Sequence, residues 1–516
     1  MLFNSYVFLF AFLPVALIGF YGLGNKDNNR HSIIWLVIAS LFFYSYWNPS
    51  YLLLISFSIL FNFILGIVLS KDARMSLLAI GIVGNIGLLA YYKYTNFALE
   101  VINNLSSSDM VVKEIILPLA ISFFTFQQIA YLVDTYRGET KRTSFLNYCL
   151  FVTFFPQLIA GPIVHHRDIL PQFNRREFTV FKYSNLSIGM TVFFIGLFKK
   201  CILADGIADF AIPVFDQVER GIEITFFEAW GGALAYTFQL YFDFSGYSDM
   251  AVGLGRMFGI KLPINFFSPY KASNIIDFWR RWHLTLSQFL RVYLYIPLGG
   301  NKHGSIRRYR NLSITMILGG LWHGAGWNFV IWGALHAFYL VINHAWNFGL
   351  KIPAFQRLVK PLSNVYFSRL LTFTLVVFAW VVFRTETIDG SILFYKGMAG
   401  VNGVSLPVQM ASTLDSLRAV FPTLQIDAGG LGSFGSPIGF LWVIGLMAIV
   451  WLTPNTTELT SGKGKNLKLA IGRGAKGLPT KFNWKPNTLW AIATALMAIL
   501  SVLSFSQVSE FLYFQF

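Results

Sequence analysis

The run GGLWHGAGW carries a histidine, His323, that follows the last preceding charged residue, Arg310, by 13 positions. On a helix that spacing is ~20 Å along the axis. An imidazole that far from any charge is costly in apolar surroundings, and such groups are functional candidates by default. The chemistry open to it is proton transfer, in particular taking the proton of an attacking hydroxyl. The plain alternative is a hydrogen bond to a neighbouring helix. A second histidine, His283, closes the run RRWH. A third, His336, lies 13 positions after His323. On one straight helix it would face about 220° away, so it reads as structural. Asp243 and Asp249, in YFDFSGYSDM, are acids inside an apolar run. They suit polar packing around the Ser-Gly-Tyr-Ser segment, or a cation or proton site in a transporter.

Other chemistries find no footing. There is no GxSxG elbow and no P-loop, which removes the usual serine hydrolase and nucleotide-driven pump. The two cysteines, Cys149 and Cys201, lie in apolar context and offer neither a disulfide framework nor metal spacing. No histidine, cysteine and carboxylate grouping has the spacing of a metal site. His31, His165, His166 and His303 fall in polar loops and read as solvated.

The elements that must position these residues are membrane helices. Of 516 residues 55% are hydrophobic and only 12% charged, where soluble domains carry about 25% charged residues. Apolar runs suggest spans near 5–23, 32–47, 50–69, 76–94, 115–134, 145–163, 185–204, 226–258, 312–346, 367–383, 436–453 and 487–506. The expected fold is therefore an all-α polytopic membrane protein with about eleven to thirteen embedded segments, forming one domain over 1–516. The N-terminal apolar run lacks a cationic start and reads as the first helix rather than a cleaved leader. The net charge of +16 is the excess of Lys and Arg expected in cytoplasmic loops, not a nucleic-acid surface. Basic clusters place the loops at Lys71–Arg74, at Arg137, Lys141 and Arg142, and at 463–485 in the cytoplasm; the last holds seven basic and no acidic residues. Both chain ends then come out on the opposite side. Two stretches break the pattern. Residues 277–300 hold Asp277, Arg280, Arg281 and Arg291 among apolar residues, as in a re-entrant or interfacial segment packed in protein. Residues 311–350 hold no Asp, Glu, Lys or Arg. As one helix they would be ~60 Å long, so they are expected to dip in and return, with glycines at the bend or the close contacts.

The blocks FFPQLIAGPIVHHRDILPQF (154–173), YFDFSGYSDMAVGLGRMFGIKLPINFFSPY (241–270), DFWRRWHLTLSQFLRVYLYIPLGGNKHG (277–304) and NLSITMILGGLWHGAGWNFVIWGALHA (311–337) resemble the core of the membrane-bound O-acyltransferases. The alginate O-acetyltransferase membrane-subunit branch is the nearest in character. The likeness is densest over 150–340. It implies that the family's invariant histidine falls on His323 and a second functional position on His283, at a central funnel joining a cytoplasmic donor to an extracytoplasmic acceptor. The final FLYFQF, after the last span at 487–506, resembles the C-terminal motif of the small partner of the related D-alanyl transfer protein. That likeness implies Tyr513 as an acyl carrier; the alternative is an aromatic anchor at the membrane surface.

The resemblance thus implies a bacterial inner-membrane enzyme with no permanently bound cofactor. An acyl thioester, most simply acetyl-CoA, is the expected co-substrate, with Arg280 and Arg281 attracting its phosphates. Lys302, Arg307 and Arg308 read as ordinary positive-inside flanks. The implied acceptor is an extracytoplasmic polysaccharide such as alginate, reached through a periplasmic acetyltransferase partner. The rival is a transporter or channel that uses Asp243 and Asp249 and performs no acyl chemistry.

Overall fold

The computed structural model describes residues 1–25, 28–106, 115–140, 143–159, 161–175, 177–359, 364–406, 426–428, 432–460, 483–507 and 512. Its N-terminal part runs through α1 (Leu13–Gly22), α2 (Arg30–Ser45), α3 (Tyr51–Lys71), α4 (Met75–Ser106) and α5 (Ile121–Tyr136). Short helices α6 (Phe145–Thr153), α7 (Phe155–Leu158) and α8 (His166–Phe173) follow. Next, α9 (Tyr183–Phe198) continues through a π-helical turn at Lys199–Ala204 into α10 (Asp205–Glu219) and is followed by α11 (Phe226–Met257). Two short helices, α12 (Ile275–Trp279) and α13 (Leu284–Leu290), precede α14 (Gly304–His323) and α15 (Trp327–Gly349). The chain ends with α16 (Pro353–Val359), α17 (Val365–Arg384), α18 (Ile388–Met398), α19 (Pro437–Leu452), α20 (Thr456–Thr460) and α21 (Thr488–Leu503). Among the described residues the strands are β1 (Val404–Leu406) and β2 (Ile426–Ala428), paired in parallel.

Among the described residues five helical stretches are long and apolar enough to cross a bilayer: α3, α4, α9 through α10, α15 and α17. Four shorter apolar ones, in α1 with the turn before it, α2, α19 and α21, add to them. Each long one contains an 18-residue apolar window, whose outward side chains suit lipid rather than water. The protein is thus an all-α, multi-pass membrane protein.

Two expectations change. The span drawn at 145–163 is broken: α6 ends at Thr153, α7 is a single turn at Phe155–Leu158, and the next helix begins only at His166. Phe155–Leu158 is buried nonetheless, so apolar character here marks protein core. The span drawn at 185–204 extends to Glu219, because the π-turn keeps the helix going. The stretch 312–346 does dip in and return: it is a hairpin, α14 and α15, turning at Gly324–Gly326. Gly320 and Gly333 let the two helices touch: a Cβ on Gly320 would stand 2.2 Å from the Phe329 carbonyl oxygen, and one on Gly333 2.5 Å from that of Met316. The 277–300 stretch does pack inside protein, as α12, α13 and a π-turn, with Phe278, Trp282, Leu286, Phe289 and Leu290 buried.

The core falls into two apolar clusters. One gathers residues of α1 to α6; the other is built around α10, α17 and α18. The central helix α11 belongs to both: Ala229–Phe244 supply the second and Tyr247–Met257 the first. It packs on α9 through glycines, Gly196 against Gly246 and Gly189 against Gly253, the small-residue contact that lets membrane helices approach closely. The seam between the clusters holds several buried polar side chains, among them His283, His323 and Asp243.

Candidate active site at the cluster seam

His323 is the last residue of α14 and only 6% exposed. Its ring meets Trp322 at 5.0 Å, Trp332 at 5.2 Å and Phe383 at 5.3 Å between centroids. Trp322 belongs to the first cluster, Trp332 and Phe383 to the second. The helix end that carries His323 is fixed from α4. Lys93 Nζ donates to the carbonyl oxygens of Trp322 at 2.6 Å and His323 at 2.9 Å, and the Tyr94 hydroxyl donates to that of Leu321 at 2.8 Å. The final carbonyls of a helix lack intrahelical donors and carry the negative end of its dipole, so an ammonium is an apt cap. α4 is in turn registered on α3 by a reciprocal amide pair between Asn62 and Asn85, at 2.7 and 3.1 Å.

Beside His323 lies a small cleft of about 80 Å³, walled by Lys93, Ile159, Trp322 and the segment Leu117–Phe123. That segment includes the first turn of α5, and Ala120 just before it holds a left-handed backbone (φ 62°). A non-glycine residue there is strained by ~1–3 kcal/mol, and such strain clusters at functional sites. The cleft thus collects an imidazole-bearing residue, an ammonium and the positive end of a helix dipole. A carbonyl held there could be attacked by a hydroxyl that gives its proton to imidazole, while positive charge meets the oxyanion.

His283 is fully buried between α12 and α13, also left-handed (φ 43°). Its Nδ1 lies 3.0 Å from Asn265 Oδ1, which also accepts from the Thr285 hydroxyl at 3.0 Å. An amide oxygen only accepts, so Nδ1 carries the proton and Nε2 the lone pair. The His283 ring packs 6.2 Å from Trp322, so His283 and His323 flank one indole. His336, fully buried, accepts from Trp279 Nε1 at 3.3 Å. It meets the same Trp332 as His323, at 4.7 Å. The straight-helix separation of His323 and His336 fails because the hairpin folds α15 back on α14.

Arg281 is engaged by Asp277 at 2.9 Å, while Arg280 is exposed. Asp243 and Asp249 do not face one another as a carboxylate pair: Asp243 meets Lys200 at 2.8 Å and Asp249 meets Lys199 at 2.6 Å. Tyr513 lies outside the described residues, as do Lys141, Arg142 and 461–482.

His166 corrects the reading of a solvated loop. It is buried, bonded through Nε2 to the Thr140 hydroxyl at 3.0 Å, and His165 meets the Tyr293 hydroxyl at 3.1 Å. Both belong to a polar group around Asp134, a buried acid that accepts from Tyr293 at 2.8 Å and pairs with Arg167 at 3.0 Å. α8 lies outside the spanning segments, and burial pushes the His166 imidazole down to about 4 despite Asp134. That carboxylate is 3.7 Å away, too far for a hydrogen bond, and already answered by Arg167 and Tyr293. Asp134 sits near the C-terminal end of α5, ~20 Å along it from the His323 cleft. Sequence reasoning missed Lys93, Tyr94, Asn265 and Asp134; a lone lysine amid the apolar α4 was the available signal.

A family model described as MBOAT, membrane-bound O-acyltransferase family, matches residues 104–380. The peptidoglycan O-acetyltransferase of Helicobacter pylori is 46% identical over 79% of this chain and 81% of its own. The probable alginate O-acetylase AlgI of Pseudomonas aeruginosa is 38% identical over the whole of both chains. The teichoic acid D-alanyltransferase of Bacillus subtilis is 30% identical over 51% of this chain and 68% of its own.

Proposed function

Because this chain belongs to the membrane-bound O-acyltransferase family, we propose that it moves an acetyl group from cytoplasmic acetyl-CoA toward a polysaccharide outside the membrane, with His323 as general base. It is a membrane O-acyltransferase; the donor, the residue roles and the direction of transfer are the proposal. The observation that carries it is the setting of His323: buried at the cluster seam, fixed at its backbone by Lys93, and open to a cleft walled by the first turn of α5.

The thioester enters from the face marked by Arg137 and the Asp134 group, the cytoplasmic side on the charge of the loops. Exposed Arg280 is available to its phosphates. A hydroxyl oxygen bonds to the thioester carbonyl carbon and its proton passes to His323. Lys93 and the first turn of α5 face the oxyanion. Collapse breaks the C–S bond, and the thiolate leaves with the proton from His323. His283, locked by Asn265, helps orient the reacting group through Trp322. The attacking hydroxyl is that of Tyr513, which then delivers the acetyl group as a tyrosyl ester to a periplasmic acetyltransferase acting on the polysaccharide. Relatives named for alginate and for peptidoglycan acetylation support an acceptor of that class. The enzyme works from the bacterial inner membrane, with its C-terminus on the periplasmic side.

The test is labelling of the purified protein by radioactive acetyl-CoA. Label on wild type, lost in both His323→Ala and Tyr513→Phe, is expected. Label that survives Tyr513→Phe removes the tyrosyl relay. With donor binding intact, transfer that survives His323→Ala removes the general base.

A further inference from the structure

At the second end of the seam, the π-turn between α9 and α10 holds two adjacent lysines that point to different partners. Lys199 Nζ pairs with Asp249 and donates to the Thr456 hydroxyl at 2.9 Å. Lys200 is 1% exposed and bridges two carboxylates, Asp205 and Asp243, at 2.8 Å each. Asp243 Oδ2 accepts from a backbone N–H at 3.1 Å, and the donor is Leu512, 269 positions further along the chain.

Leu512 is 7% exposed and belongs to the second apolar cluster. The described residues that precede it begin on the outer face of the molecule. Helix α21 shows only Ser501 buried, so it is an outer, lipid-suited helix. After it, Phe505 is buried in the first cluster against Tyr6, whose hydroxyl donates to the Val502 carbonyl at 3.1 Å. The turn at Ser504–Gln507 packs on the π-turn itself. Phe505 thus lies in the first cluster and Leu512 in the second, where a buried carboxylate meets its backbone N–H. A backbone N–H on a carboxylate reads no side chain; it fixes the position of the segment.

We propose that Lys200, Asp205 and Asp243 form a docking site for the C-terminal segment of this chain, with Asp243 gripping Leu512 by its N–H. Tyr513 follows Leu512 directly, so the grip sets where that hydroxyl can reach; only this consequence rests on the proposed relay. The site also borders the candidate active site. Phe244, next to Asp243, packs 4.8 Å from the His283 ring. Asp243 is therefore a positioning residue, which accounts for an acid pair whose members each face a separate lysine.

Carboxypeptidase Y digestion of the full-length protein in detergent, followed by intact mass, tests the docking. Wild type is expected to lose residues only down to Leu512, while Asp243→Ala releases Leu512 at least tenfold faster. Asp249→Ala, which breaks the twin pair, is expected to trim as wild type. Asp243→Asn keeps the shape and drops the charge, so it should fall between, and it carries the comparison if the alanine variant does not fold. Wild type trimmed past Leu512 as fast as Asp243→Ala, or Asp249→Ala exposing the tail equally, would overturn the site. Trimming reads docking whether or not Tyr513 is acetylated, so the two ideas fail separately.

Discussion

Replacing Lys93 with methionine removes two hydrogen bonds to the end of α14, to the Trp322 and His323 carbonyls at 2.6 and 2.9 Å, and leaves the Tyr94 bond to Leu321. Hydrogen bonds to a charged group are worth ~1.5–3 kcal/mol each. The gross loss is therefore ~3–6 kcal/mol, partly offset because burying an ammonium is itself costly. Methionine keeps most of the volume, so packing against Trp322 survives. The freed helix end can shift, and a displacement of 1 Å at a reacting group costs ~100-fold in rate. Loss of a general base altogether costs ~100- to 10,000-fold, which bounds the effect. The expected outcome in nanodiscs, measured as CoA release from acetyl-CoA, is a kcat lower by ~10- to 100-fold with little change in KM. Lys93→Arg, which can reach both carbonyls, should restore most of it. A folded Lys93→Met protein with wild-type kcat would refute the reasoning. A loss fully explained by less folded protein would reduce Lys93 to a role in folding.

Other outcomes follow from the same geometry. Gly320→Ala puts a methyl 2.2 Å from a backbone oxygen across the α14–α15 hairpin; overpacking of this kind costs ~1–3 kcal/mol, read as a lower thermal inactivation temperature. His336→Gln, which leaves the candidate cleft intact, should keep transfer within about tenfold of wild type, far above a lost general base. His166 has a folded value of about 4 against about 6.5 unfolded. The unfolded chain takes up its proton first, so the stability held by neutral His166 is full above ~6.5 and lost as pH falls toward ~4. Melting scans should show wild type losing stability more steeply over that window than His166→Gln, and parallel curves would count against it.

Much of the frame was legible because membrane helices announce themselves by composition. The apolar runs at α2, α3, α17 and α21 appear within a few residues of their expected limits. The failures share a cause. At 145–163 the apolar residues serve buried short helices, and hydropathy does not separate lipid from protein core. Position along the chain placed His323 far from charge, yet Lys93, 230 residues earlier, touches its carbonyl. His323 and His336 looked opposed on one helix and share Trp332 across a hairpin. Long-range partners such as Asn265 and Leu512 carry no local pattern at all. What chemistry the chain performs was readable in blocks of sequence; how its residues are held in place was not.

The central claim is that His323 drives cleavage of the acyl thioester. Pre-steady-state release of CoA from acetyl-CoA, comparing wild type with His323→Ala at matched donor occupancy, measures it most directly. The expected result is a fall of ~100- to 10,000-fold in the chemical step with donor binding unchanged. A His323→Ala enzyme that binds acetyl-CoA and cleaves it within tenfold of wild type would contradict the account.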